Sequence, residues 1–160
     1  MRPVVSFISA PAFSLSKRID FWIKSRINHK SRFAIHSSLD LADKIKNVSP
    51  PAQASLISFD VTGLFPNLPN EPTLRHLVAS LNDAHVPQFI IDEIMKLLKL
   101  CLKPNFCKFN SKTYVFPENI GVPMGYPLGS TLGEIFTDLL EETLFSLHPE
   151  LTYLLVPFHG

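Results

Sequence analysis

Cysteine is scarce in this sequence: Cys101 and Cys107 are the only two. Two thiols cannot build a disulfide framework, and neither lies in a CxxC or histidine-rich setting that would hold zinc, so both read as reduced, structural residues. Long apolar runs are also missing. The first ten residues hold no long apolar run behind a basic start, and nothing approaches the length of a membrane span. The reading is a soluble, intracellular chain with no membrane partner, nucleus and cytoplasm being left open. The Asn47-Val48-Ser49 sequon carries no weight without a secretory signal. Neither charge sign dominates, with 15 basic residues against 14 acidic. Their placement is uneven, however. Lys17, Arg18, Lys24, Arg26, Lys30 and Arg32 crowd the first fifth, while Glu134, Asp138, Glu141, Glu142 and Glu150 load the last. A basic face of this kind suits a polyanion such as nucleic acid, or is simply the solvated side of a helix, and salt sensitivity separates the two.

What is present is apolar substance: 46% of the 160 residues are hydrophobic, enough for the core of one domain or of a piece of a larger one. Met1 to Pro11 reads as a strand or extended loop. From Ala12 to about His29, Leu15, Ile19, Trp22, Ile23 and Ile27 recur at helical spacing with the basic residues between them, and Trp22 falls in the apolar stripe. Ser37 to Asn47 predicts a second helix through Leu39, Leu41, Ala42 and Ile45, closed by Ser49-Pro50-Pro51. Pro66 to Pro72 reads as loop and Thr73 to Asn82 as a short helix, with His76 and His85 at the surface. After Pro87, Phe89 to Leu102 is apolar on nearly all sides, as for a helix that this chain alone does not cover. Phe106 to Phe109 and Thr113 to Phe116 flank Asn110-Ser111-Lys112 and predict a hairpin. Leu151 to Val156 forms one more apolar run.

Two stretches carry the chemistry. In Leu56 to Val61, a period of two sends Ile57, Phe59 and Val61 to one face and Leu56, Ser58 and Asp60 to the other, so a carboxylate ends a strand. Asp60 either initiates the turn toward Gly63 and Pro66, or is held at an open sheet face to bind a divalent metal. The second stretch, GVPMGYPLGSTLG from Gly121 to Gly133, has glycine at every fourth position. Pro123 and Pro127 exclude a GxxxG membrane helix, and the missing Gly-Lys-Ser/Thr ending excludes a phosphate-binding P-loop. These glycines instead let backbone approach a ligand or another chain closely. Thr131 and Glu134 match a capping box opening a helix, with Leu132, Ile135, Phe136, Leu139, Leu140 and Leu144 on one face and Glu134, Asp138 and Glu141 on a solvated one.

Taken together, the Asp-ending strand, the apolar helix, the hairpin and the glycine-proline loop resemble the reverse transcriptase domain of retroelements, closest to Penelope-like elements. SFDVTGLFPNLP resembles that family's motif A, GVPMGYPLGS its motif B, and RPVVS with the following helix its fingers segment. The resemblance implies an α+β fold: a partial right-hand polymerase of fingers and palm, with a small antiparallel sheet packed on helices, spanning residues 1–160. It implies RNA-directed DNA synthesis by two-metal nucleotidyl transfer. Asp60 and the Val61 backbone carbonyl would then hold magnesium, or manganese. Phe65 would be a steric gate beneath the sugar, or plain core filler. Gly121, Met124 and Gly125 would line the incoming deoxynucleoside triphosphate and the template, and Arg2 would contact the triphosphate. Lys17, Arg18, Lys24, Arg26, Lys30 and Arg32 would hold an RNA or DNA template with its primer.

The sequence departs from the family in two places. Tyr126 stands where serine is usual in motif B, and Gly129-Ser130 where Ser-Pro is usual. The aromatic-x-Asp-Asp of motif C is absent, since Tyr153 is followed by Leu154-Leu155-Val156; thumb and GIY-YIG endonuclease are absent too. The expectation is a fragment or decayed copy of a polymerase, inactive alone. The alternatives are a non-catalytic polymerase-like domain that binds nucleic acid or protein, and an unrelated α+β scaffold.

Overall fold

The computed structural model describes residues 8, 10–27, 35, 37–46, 49, 52–53, 61–103, 106–115, 120–123 and 125–149, leaving aside the side chains of Lys44 and Cys107. Arg2, Lys30, Arg32, Asp60, Met124, the opening strand, all of the Asp60 strand before Val61 and the run from Leu151 lie outside the described residues. Helices and one small antiparallel sheet make up the described structure, a mixed α and β composition. The helices are α1 Phe13–Arg26, α2 Ser38–Ile45, α3 Leu64–Asn67, α4 Asn70–Asp83, α5 Gln88–Cys101 and α6 Gly129–Leu147; the strands are β1 Phe106–Phe109 and β2 Lys112–Val115. The chain divides into two compact units, Met1–His29 with Gly63–Thr137, and Lys30–Thr62 with Asp138–Gly160.

The larger unit is built from amphipathic helices. α1 buries Ile19 and Ile23, Ile27 just past its end is buried too, and Leu15 and Trp22 pack partly buried beside them, while Lys17, Arg18, Lys24 and Arg26 are exposed. The 3.6-residue period sorts apolar from charged side chains in this way, and α1 packs against α5, which packs against α4. Leu74, Leu77 and Leu81 of α4, Ile91 and Leu98 of α5, and Leu132 and Ile135 of α6 belong to the same core. α5 buries one face only, and Phe89 and Leu100 remain exposed.

Three elements differ from the sequence reading. α4 begins at Asn70, inside the segment read as loop, and a single helical turn, α3, precedes it. Pro72 suggests a break in sequence, yet it occupies the first turn of α4, where an N–H has no intrahelical partner to lose. Within α4, His76 is partly buried, not at the surface. α6 begins at Gly129, ahead of the capping box, so Thr131 lies inside the helix with its hydroxyl turned to another partner. The hairpin turns on two residues, Asn110 and Ser111, both at positive φ, and Lys112 pairs with Phe109. That pair of left-handed residues suits the twist of a tight hairpin. Every described hairpin side chain is exposed, Phe106 and Phe109 each at 72%.

In the smaller unit, Ser37 caps α2 by accepting a hydrogen bond from the Asp40 amide at 3.1 Å. Leu39 and Ile45 of α2 are exposed, as are Leu140 and Leu144 of α6, so the apolar stripes read from sequence are only partly covered by described residues. Asp138 and Glu141 are partly buried and engaged, in contrast to the solvated face expected of them; Glu134 is exposed.

Candidate functional site

The turn from Gly63 to Pro69 is shaped by its own residues. Gly63 adopts φ 68° and starts α3, and Asn67 closes the turn by donating from its backbone N (3.3 Å) and its Nδ2 (3.0 Å) to the Gly63 carbonyl. The Pro69 carbonyl then accepts from the backbone N and Oγ1 of Thr73, at 3.3 and 2.7 Å, which passes the chain into α4. Asparagine and proline at this spacing therefore build a specific reversal.

The glycine loop lies directly on this turn. Gly121 N donates to the Leu68 carbonyl at 2.7 Å, Val122 N donates to the Phe65 carbonyl at 2.8 Å, and Pro69 forms an antiparallel bridge with Ile120. At Gly121, φ is 79°, and a Cβ would stand 2.9 Å from the Pro66 carbonyl carbon, so no other residue fits without displacement. Further along, α6 presents Gly129 and Gly133 on one face to the Phe65 ring, which a methyl group at each would meet at 3.8 and 3.4 Å. The four-residue glycine spacing is thus no membrane-helix device, yet within α6 it does serve packing. Its last two glycines form the shallow notch that seats Phe65.

Tyr126 fixes the far side of the loop. Its phenol is buried and donates to the Cys101 carbonyl at 2.9 Å, so the hydroxyl of Ser16, also 2.9 Å away, donates to the phenol oxygen. Cys101 ends α5, and its carbonyl is one of those a helix terminus leaves without an intrahelical donor. Tyr126 thus joins α1, the end of α5 and the loop. Burial pushes the phenol above its ordinary value of 10.0, the Ser16 hydrogen bond opposing this. Close by, Thr131 Oγ1 of α6 donates to Asp20 of α1, whose other oxygen accepts from Lys24 at 3.0 Å. Neither network was visible in the sequence.

The expected site residues are thus distributed as follows. Phe65 and Gly121 meet at the joint between turn and loop. Gly125, at φ 92°, is exposed in a loop whose Val122, Pro123, Tyr126 and Leu128 are buried, so its backbone is the part open to a ligand. Val61 is exposed. Lys17, Arg18, Lys24 and Arg26 are each exposed on α1, with the Arg26 guanidinium 6.0 Å from the Trp22 ring centre. Among the described residues, no group of three His, Cys, Asp or Glu side chains is placed to hold a metal ion, and no helix is long and apolar enough to cross a membrane. The described donors therefore do not make a metal cage, and Asp60, the expected metal ligand, lies outside the described residues.

The chain matches no protein-family model, no curated protein and no solved structure.

Proposed function

We propose that this chain is a fingers and palm portion of an RNA-directed DNA polymerase and that it does not extend a primer by itself. One observation carries the reading. The two segments that resemble motifs A and B, far apart in sequence, are joined by backbone hydrogen bonds from Gly121 to Leu68 and from Val122 to Phe65. A template-directed polymerase needs these segments adjacent, one bringing the metal-binding carboxylate and the other the backbone that borders the nucleotide. Asp60 and the Val61 carbonyl would hold magnesium, which when bound supplies charge for activating the primer hydroxyl and stabilising the leaving pyrophosphate. Gly125 leaves room for the nucleotide, with Met124 beside it in sequence, and Arg2 would meet the triphosphate. Phe65 anchors the turn with its buried part, and a steric gate would use the part left exposed.

A single carboxylate is too small a donor set for two divalent ions. That favours inactivity of the chain alone, and it equally suits the second reading, a polymerase-like domain that binds nucleic acid or protein without chemistry. The test is extension of an annealed primer by the purified chain with magnesium and deoxynucleotides, using Asp60→Ala to expose contaminating polymerase. We expect no extension by this chain and Asp60-dependent extension by a longer one carrying an aromatic-x-Asp-Asp segment from the downstream coding sequence. Robust, Asp60-dependent extension by the 160 residues alone would overturn the inactivity. A downstream sequence without that segment, in any frame, would favour the non-catalytic reading.

A further inference from the structure

Phe21 lies at the middle of the outer face of α1 and is 76% exposed. Its neighbours one helical turn away are Lys17 and Arg18 on one side and Lys24 and Ser25 on the other, all exposed. Lys17 and Arg18 have no ion-pair partner among the described residues, whereas Lys24 is bound to Asp20. A lone exposed aromatic is ordinary on a protein surface. An aromatic ring surrounded by cations on a rigid helix is a different object. The rigidity is visible on the inner side of the same helix, where Ile19, Ile23 and Ile27 are buried, Ser16 is bonded to Tyr126, and Asp20 is bonded to Thr131. The outer side chains are thus displayed from a backbone that does not need to be ordered on binding.

We infer that this face of α1 is a stacking platform for single-stranded nucleic acid, with Phe21 under an unpaired base and Lys17 and Arg18 on the neighbouring phosphates. The inference rests on the polymerase reading only in supposing that the chain meets nucleic acid. Charge complementarity selects a polyanion, and the ring selects an accessible π-face, which unpaired bases offer and a duplex keeps inside its stack. A lipid surface suits the face poorly, because the neighbours of Phe21 one turn away are Lys17, Arg18, Lys24 and Ser25, which leave too little apolar area to insert. An acidic peptide would satisfy the cations and leave the ring unused.

The test measures binding of a fluorescent oligothymidylate and of a duplex of equal length to the purified chain and to Phe21→Ala, Phe21→Trp and Lys17→Ala/Arg18→Ala. Phe21 is exposed, so its replacements should fold as the parent does. Phe21→Ala is expected to weaken single-strand binding about tenfold, in line with loss of one base-aromatic stack, and to leave duplex binding unchanged, while Phe21→Trp retains or strengthens the single-strand complex. Unchanged single-strand affinity in Phe21→Ala, or equal loss for both nucleic acids, overturns the platform. So does tighter, Phe21-dependent binding of the chain to phosphatidylserine vesicles or to polyglutamate. The longer chain separates the two proposals: Phe21-dependent single-strand binding by this chain, beside a longer chain that carries the aromatic-x-Asp-Asp segment and shows no Asp60-dependent extension, supports the platform while the catalytic reading fails.

Discussion

Tyr126 joins α1, the end of α5 and the glycine loop through one phenol. Replacing it with phenylalanine leaves the Ser16 hydroxyl and the Cys101 carbonyl buried without that partner, at a cost of about 1–3 kcal/mol, measurable as a lower denaturant midpoint with an unchanged slope. The same phenol gives the fold an alkaline limit. Its folded-state value is raised above the ordinary 10.0, chiefly by burial, so the folded state holds the proton where the unfolded chain releases it. That contribution is complete below about pH 10 and is lost as pH rises beyond it, toward the folded-state value. Stability against pH should therefore fall more steeply above pH 10 in the parent than in Tyr126→Phe. None of this was legible in the sequence. Tyr126 could be marked only as a departure from a motif, because its partners lie 110 and 25 residues away and a hydroxyl carries no periodic signature.

Among elements, α6 and the α3 turn behave as one joint, and three glycines grade its tolerance. Gly121→Ala combines a positive φ with a clash against the Pro66 carbonyl and should destabilise by about 3 kcal/mol or more. Gly133→Ala puts a methyl 3.4 Å from Leu64 and from Phe65, tight enough for a loss of about 1 kcal/mol that Phe65→Leu relieves in part. Gly129→Ala meets the ring at 3.8 Å, ordinary van der Waals distance, and should stay within about 0.5 kcal/mol of the parent. Chemical denaturation of the three variants checks the order, and an equal effect from all three would contradict it. The sequence showed the spacing of these glycines but not their partner, since only the fold brings Phe65 to them. Helices α1 and α5 were readable within a few residues because their apolar residues recur every three or four positions. The start of α4 was not, because Pro72 signals a break in sequence and serves as a first-turn residue in the structure.

For the molecule as a whole, a formal net charge of +1 describes its surface poorly. Lys17, Arg18, Lys24 and Arg26 are each exposed on α1, so a primer-template held there, as proposed, should be released by salt although the protein is nearly neutral. Affinity measured between about 50 and 200 mM salt should fall log-linearly, and Lys17→Ala/Arg18→Ala should flatten the slope by roughly 0.7 for each single-strand phosphate that is no longer neutralised. A slope unaltered by that double replacement would remove α1 from the interface. The bond between Gly121 and Leu68 has a consequence in time as well. It closes a loop that contains α4, α5 and the hairpin, and closing a long flexible loop is entropically costly until its helices have shortened and stiffened it. The joint is therefore expected to form late in folding and to open early in unfolding. A chain damaged there would collapse at a normal rate and come apart sooner, so the life span of the assembled site, more than the speed of its assembly, is what Gly121 controls.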